Sequence, residues 1–167
     1  MIERAHEANG ILSLAIYSDC GAYRYLLTRD WGAGPRVAFV MLNPSTADER
    51  ANDATIERCQ RRAATMGGGL IVVNLFGFRA TRPADLKAAA DPVGTDNDAV
   101  LLEALRKADR IICGWGFHGA HQGRGEQIAK MLRAEGLALL QLGLTKDGHP
   151  RHPLYLSYRI EPQIWAD

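Results

Sequence analysis

The chain has 167 residues, 47% hydrophobic and 23% charged, proportions that fit a soluble globular chain of one domain, 1–167. They exclude a disordered tail, a collagen-like repeat and a coiled-coil rod. Twenty basic against nineteen acidic residues, a net charge of +1, give no global pull toward nucleic acid.

Residues 10–17 and 21–28 are apolar stretches joined by Ser18-Asp19-Cys20, and Tyr23, Tyr25 and Leu27 alternate with Arg24 and Leu26. This predicts an antiparallel hairpin, followed by a Gly- and Pro-bearing loop over 29–35. Residues 1–35 then form an N-terminal extension and 36–160 the core. Four short apolar runs follow, at 36–42, 70–75, 110–113 and 137–142. Their length and Val, Ile and Leu content suit strands buried on both faces of a parallel sheet.

Helical patterns fill the gaps between these runs. In 53–66, Ile56, Cys59, Ala63 and Met66 recur at steps of three and four, and in 96–108 Val100, Leu101, Ala104, Leu105 and Ala108 do the same. Ile128, Met131 and Leu132 share a face in 125–135, with Gly136 as a stop. Thr95 and Asp98 read as a capping box, and 83–90 as a short helix with Pro83 in its first turn. The alternation predicts an α/β fold, three-layer αβα with a mainly parallel central sheet and the N-terminal antiparallel hairpin at the sheet edge.

No apolar run approaches the roughly 20 residues that span a bilayer. The start, MIERAHEANG, lacks the apolar centre of a secretory signal. The expected location is the cytoplasm, with no membrane partner. Cys20, Cys59 and Cys113 are far apart and form no CxxC pair, which argues against a disulfide framework or a zinc ribbon. Cys59 and Cys113 read as buried, inert thiols.

Ligand sites of open α/β sheets lie beyond the carboxyl ends of the strands. The residues there are Asn43-Pro44-Ser45-Thr46-Ala47-Asp48, then Asn74 through Thr81, then Gly114 through His121, then Gly143 through Pro153. Four of the five histidines fall in these segments. One sheet edge therefore gathers the polar and aromatic residues that a pocket needs.

The segments MLNPSTAD, VVNLFGFRAT, GWG and GHPRHPLYL, in this order, resemble a bacterial and phage family, domain-of-unknown-function family 1643, over about 23–158. The same order is similar, in shorter motifs, to the uracil-DNA glycosylase superfamily. Met41-Leu42-Asn43-Pro44-Ser45 stands where mismatch-type members carry Gly-Ile-Asn-Pro-Gly. Val72-Val73-Asn74-Leu75 stands at the asparagine that ends their second strand. Arg82-Pro83 and Trp115-Gly116 also have counterparts, and His152-Pro153-Leu154 stands where the superfamily has His-Pro-Ser. This likeness implies a uracil-DNA-glycosylase-type fold and a ligand that is a nucleobase, nucleotide or nucleic acid.

N-glycosidic cleavage needs a held water, support for the departing base anion and a pocket that reads the base edge. Asn43 can hold the water, and Asp48 is the nearest carboxylate after that motif to act as base. The resemblance makes Asn74 the base reader. His152 can donate to the leaving group. Phe76, Phe78 or Trp115 can stack on a base. Arg79, Arg82, Lys146 and Arg151 can form a phosphate-binding rim. Ser45, Phe76, Arg79, Trp115, His118 and Arg151 complete the ligand-binding set with Asn74. The catalytic set is Asn43, Asp48 and His152.

Two rival readings stand beside an N-glycosidic hydrolase. One is a non-catalytic module that binds a nucleotide or modified base. The other is a metal hydrolase, because His118 with His121 and His149 with His152 form two HxxH pairs. Neither pair has a sharp metal signature, and no metal is expected. No GxSxG, Walker loop or helix-opening GxGxxG is present, and no cofactor is expected. Gly67–Gly69 precede an apolar run and read as a turn.

Overall fold

The computed structural model describes residues 1–166. One eight-stranded sheet organises them, with spatial order β1-β2-β3-β5-β4-β6-β7-β8. The strands are β1 (Ile2–Ala8), β2 (Ile11–Tyr17), β3 (Arg24–Asp30), β4 (Arg36–Met41), β5 (Gly69–Asn74), β6 (Arg110–Cys113), β7 (Leu139–Gln141) and β8 (Gln163–Ile164). The helices are α1 (Ala54–Ala64), α2 (Pro83–Ala88), α3 (Asn97–Arg106) and α4 (Arg124–Ala134).

The sheet is mixed, which corrects the expectation of a mainly parallel one and with it the glycosylase-type architecture. Within the described residues only β4/β5, β4/β6 and β6/β7 pair in parallel. The pairs β1/β2, β2/β3, β3/β5 and β7/β8 are antiparallel. The reason is local. The strands β4, β5, β6 and β7 are separated by helices and run parallel, whereas β1, β2, β3 and β4 follow one another through a few residues and reverse each time, which sets β3 antiparallel to β5. The β1/β2 reversal has no apolar signature, because β1 is charged and almost wholly exposed. A two-residue signal did mark it. Asn9-Gly10 joins β1 to β2 with φ of 53° and 74°, the positive values that an Asn-Gly hairpin turn supplies.

Strand side chains alternate between two cores. Val37, Phe39, Met41, Leu70 and Val72 pack with Ile56, Cys59 and Ala63 of α1. Ala38, Val40, Ile71 and Val73 pack with Leu86 of α2, Leu101 and Leu105 of α3, and Ile128 and Leu132 of α4. Helices thus cover opposite faces, as near-continuous apolar strands require. Burial pushes the Cys59 and Cys113 thiols up, which leaves them inert.

Cap chemistry differs in part from expectation. The Asp53 carboxylate caps α1 by accepting from the Ile56 N–H at 2.9 Å. At α3 the Thr95–Asp98 capping box is not formed, since Asp96 precedes the helix with no side-chain cap bond. Asp98 instead faces α4 and accepts from Arg124. Helix α4 ends as expected, with the Gly136 N–H returning to Arg133 O and the Leu137 N–H to Leu132 O. Gly67 and Gly68 lie against the 32–35 loop, where a Cβ would collide with backbone carbonyls. No described helix is long and apolar enough to cross a membrane.

Candidate functional site

A crevice forms where the sheet order changes direction. Here that point is β4, with β5 on one side and β6 on the other. The segments leaving these strands part and open a cleft of about 530 Å³. Asn43 and Ser45 come from the end of β4, Asn74 from the end of β5, and Trp115 and His118 from the turn after β6. His152 closes it from the last connection. Six sequence-predicted residues therefore meet in one cavity.

Asn74 lies deep in this wall, 2% exposed. Its backbone carbonyl accepts from the buried Asn97 side chain at 3.0 Å. Its own side-chain Nδ2 is buried and has no partner among the described residues. A buried donor without an acceptor is unfavourable.

Asn43 is arranged differently. Its Nδ2 donates to Pro44 O at 2.9 Å and to Ala80 O at 2.7 Å. The bond to Ala80 O ties the loop after β4 to the loop after β5, the bond to Pro44 O stays within the first loop, and Oδ1 remains to accept from a ligand or water. Ser45 and Thr81 face each other across the same seam, their hydroxyl oxygens 3.4 Å apart.

The His152 Nδ1 accepts from the Leu154 N–H at 3.2 Å. An imidazole nitrogen that accepts carries no proton, so the proton sits on Nε2. Burial pushes its pKa below the ordinary histidine value, and nearby Asp53 offsets part of this. His152 is therefore a neutral Nε2–H donor near pH 7. The His118 pKa is lowered too, by burial and then by Lys87, and its buried Nδ1 lacks a partner among the described residues.

Four predicted residues lie outside the cleft lining. The Asp48 carboxylate accepts from the Arg50 and Ala51 N–H groups, both at 2.8 Å. Burial opposes its charge, but those two bonds hold the carboxyl below its ordinary range. It builds a turn. Phe76 is fully buried and rests against the His121 ring. Arg79 is exposed, with its guanidinium 5.4 Å from the Tyr17 ring centre. Arg151 is exposed, and its backbone N–H donates to Gly143 O at 2.9 Å.

Trp115 reaches the cleft but is 1% exposed, packed edge-on against Trp165 with ring centres 5.4 Å apart. A Cβ on Gly119 would collide with its ring. It is a wall rather than a free stacking face. Phe117, 59% exposed in the same lining, is the more open ring, with the His118 ring centred 3.9 Å from its own centre.

The histidine pairs do not converge. His118 and His152 line the cleft, His121 packs on Phe76, and His149 lines a separate groove with Trp165. Among the described residues no group of three or more His, Cys, Asp or Glu is placed to hold a metal ion.

The cleft also contains Arg24, Asp53, Thr55, Thr81 and Phe117, which the sequence reading did not select. Asp53 had a signal, an aspartate directly before a helical pattern. It is the carboxylate in the lining, with its oxygens accepting from Ile56 N and Ala47 N. Arg24 had none, because simple alternation along β3 puts it opposite Tyr23 and Tyr25, whereas a register shift at Ile16/Tyr17 accompanies burial of both Arg24 and Tyr25.

No curated protein and no solved structure matches the chain. One family model does, over residues 24–154, a span whose first and last residues, Arg24 and Leu154, both line the cleft. The matched span covers most of the 167 residues and encloses every residue of this cavity, and the chain belongs to that family, described as Protein of unknown function (DUF1643).

Proposed function

We propose that the cleft binds the nucleobase of a nucleoside, nucleotide or nucleic acid strand. The observation that carries this reading is the buried, unpartnered Nδ2 of Asn74. A side-chain amide pairs with the amide-like edge of a heterocycle, donor to carbonyl and acceptor to ring N–H. Phe117 at the rim adds a face for stacking. A thermal-shift panel of bases, nucleosides, nucleotides and short single strands tests it. A ligand that binds the native state raises Tm by linkage, and the rise should vanish in Asn74→Ala. Absence of any shift at millimolar ligand, or a shift that survives Asn74→Ala, ends this reading.

A second reading adds hydrolysis of the N-glycosidic bond, and the His152 tautomer favours it. A neutral Nε2–H donor beside the departing base stabilises developing negative charge. Asn43 Oδ1 can orient the attacking water. Asp53, whose oxygens already accept two backbone N–H groups, replaces Asp48 as the carboxylate near it. With a bound nucleoside or strand, base release is followed by chromatography. His152→Gln should lower the rate about 100-fold or more and leave affinity within a few-fold. Binding without base release identifies a binding module instead.

A further inference from the structure

Four arginines are buried among the described residues, namely Arg24, Arg29, Arg62 and Arg124. Three are well supplied with acceptors. Arg29 donates to Thr28 O, Asp48 O, Ala51 O and the Asn52 side chain. Arg62 donates to Leu156 O, Ser157 O and Ile160 O. Arg124 pairs with Asp98 and donates to Leu75 O and Gln127.

Arg24 is the most deeply buried of the four and has the fewest acceptors. It is 1% exposed and makes one side-chain hydrogen bond, from Nη1 to Ala47 O. Its Nε is buried without a partner among the described residues, as is that of Arg62. It forms no ion pair among the described residues. Burial pushes its pKa down to about 10, so it is still charged at neutral pH. A buried charge is ordinarily paired, because leaving water is strongly unfavourable.

Arg24 is also the buried arginine that lines the cleft. The first turn of α1 stands in the same wall, through Ala54, Thr55 and Ile56. The Asp53 cap takes the Ile56 N–H, and those of Ala54 and Thr55 have no acceptor among the described residues. Helix N-terminal N–H groups favour negative charge.

We infer that the ligand carries an oxyanion, a phosphoryl or carboxylate group, which the Arg24 guanidinium binds opposite the first turn of α1. The inference deepens the nucleobase reading and rests on it for the rest of the ligand. It selects charged nucleotides over neutral nucleosides. A guanidinium suits this role because its planar fork matches two oxygens of one such group.

Isothermal titration of the wild-type chain with nucleosides, their 5′-monophosphates, a pyrimidine carboxylate and inorganic phosphate tests it. The monophosphates or the carboxylate should bind at least about tenfold tighter than the neutral nucleosides, a charge-assisted increment. Whichever of the two gains affinity identifies the oxyanion. Arg24→Gln should abolish that advantage and Arg24→Lys should restore part of it. If Arg24→Gln does not fold, the wild-type comparison and Arg24→Lys carry the test. Equal affinity for charged and neutral ligands overturns the inference while sparing the base reading. Phosphate binding that depends on Arg24, with no preference among bases and no effect of Asn74→Ala, does the reverse. Binding of none of these probes overturns both.

Discussion

Asn74 is where the folded state accepts an unfavourable contact. A buried unmet donor costs about 1–3 kcal/mol, and that penalty disappears when the amide is removed. Asn74→Ala should therefore leave stability within about 1 kcal/mol of wild type, or raise it, while ligand-dependent stabilisation is lost. Urea denaturation measures the first part. A loss of several kcal/mol would make the amide an ordinary structural group. The cleft histidines predict a pH dependence. Both His118 and His152 have folded pKa values below the ordinary 6.5. Below that value the unfolded chain binds more protons than the folded one, so stability is full above about pH 6.5 and falls as pH is lowered. Tm should drop between about pH 7.5 and about pH 5, and His152→Gln should flatten the drop.

At the scale of elements, the position of Asn74 depends on helices that never touch ligand. Asn97 of α3 donates to the carbonyls of Asn74 and Leu75. Arg124 at the start of α4 donates to Leu75 O at 2.9 Å and pairs with Asp98 of α3. Two helices are thereby tied to the end of β5. Removing Arg124 takes the donor from the buried Leu75 carbonyl, while the half-exposed Asp98 carboxylate turns to water. Arg124→Ala should cost about 1–3 kcal/mol, with a matching fall in ligand affinity, because the β5 end loses its support. Asp98→Asn should cost less, since Asp98 is half-buried and water can take over its role. Denaturation curves of the two variants check the order.

Across the whole molecule, the family match spans 24–154, yet contacts outside it complete the fold. Arg62 of α1 donates to Leu156, Ser157 and Ile160 carbonyls. Trp165 packs edge-on against Trp115, and its N–H donates to Leu139 O. Truncation after Leu154 should lower stability by more than about 3 kcal/mol, since it uncovers a buried tryptophan and leaves a buried guanidinium without acceptors. Calorimetry of the truncated and full chains decides this. An unchanged Tm would mean that the tail lies on the molecule without supporting it.

The sequence by itself determined where β4–β7 and all four helices lie, because continuous apolar runs and 3.6-residue periodicity reflect burial directly. It also marked Asn43, Ser45, Asn74, Trp115, His118 and His152, since polar and aromatic residues at strand ends are local features. It did not reveal β1, whose exposed edge leaves no apolar trace, nor the mixed sense of the sheet, which strand pairing decides. Only the tertiary structure separated the residues that reach the cleft from those that do not. Asp48, two residues from Arg50, closes its own turn, while Asp53 turns in. Arg24 becomes an unpaired buried charge only when β3 docks antiparallel against β5 and the loop after β4 folds over it. Burial and pairing are properties of segments that meet in space, and Arg24, Asn43 and Asn74 are far apart in the chain.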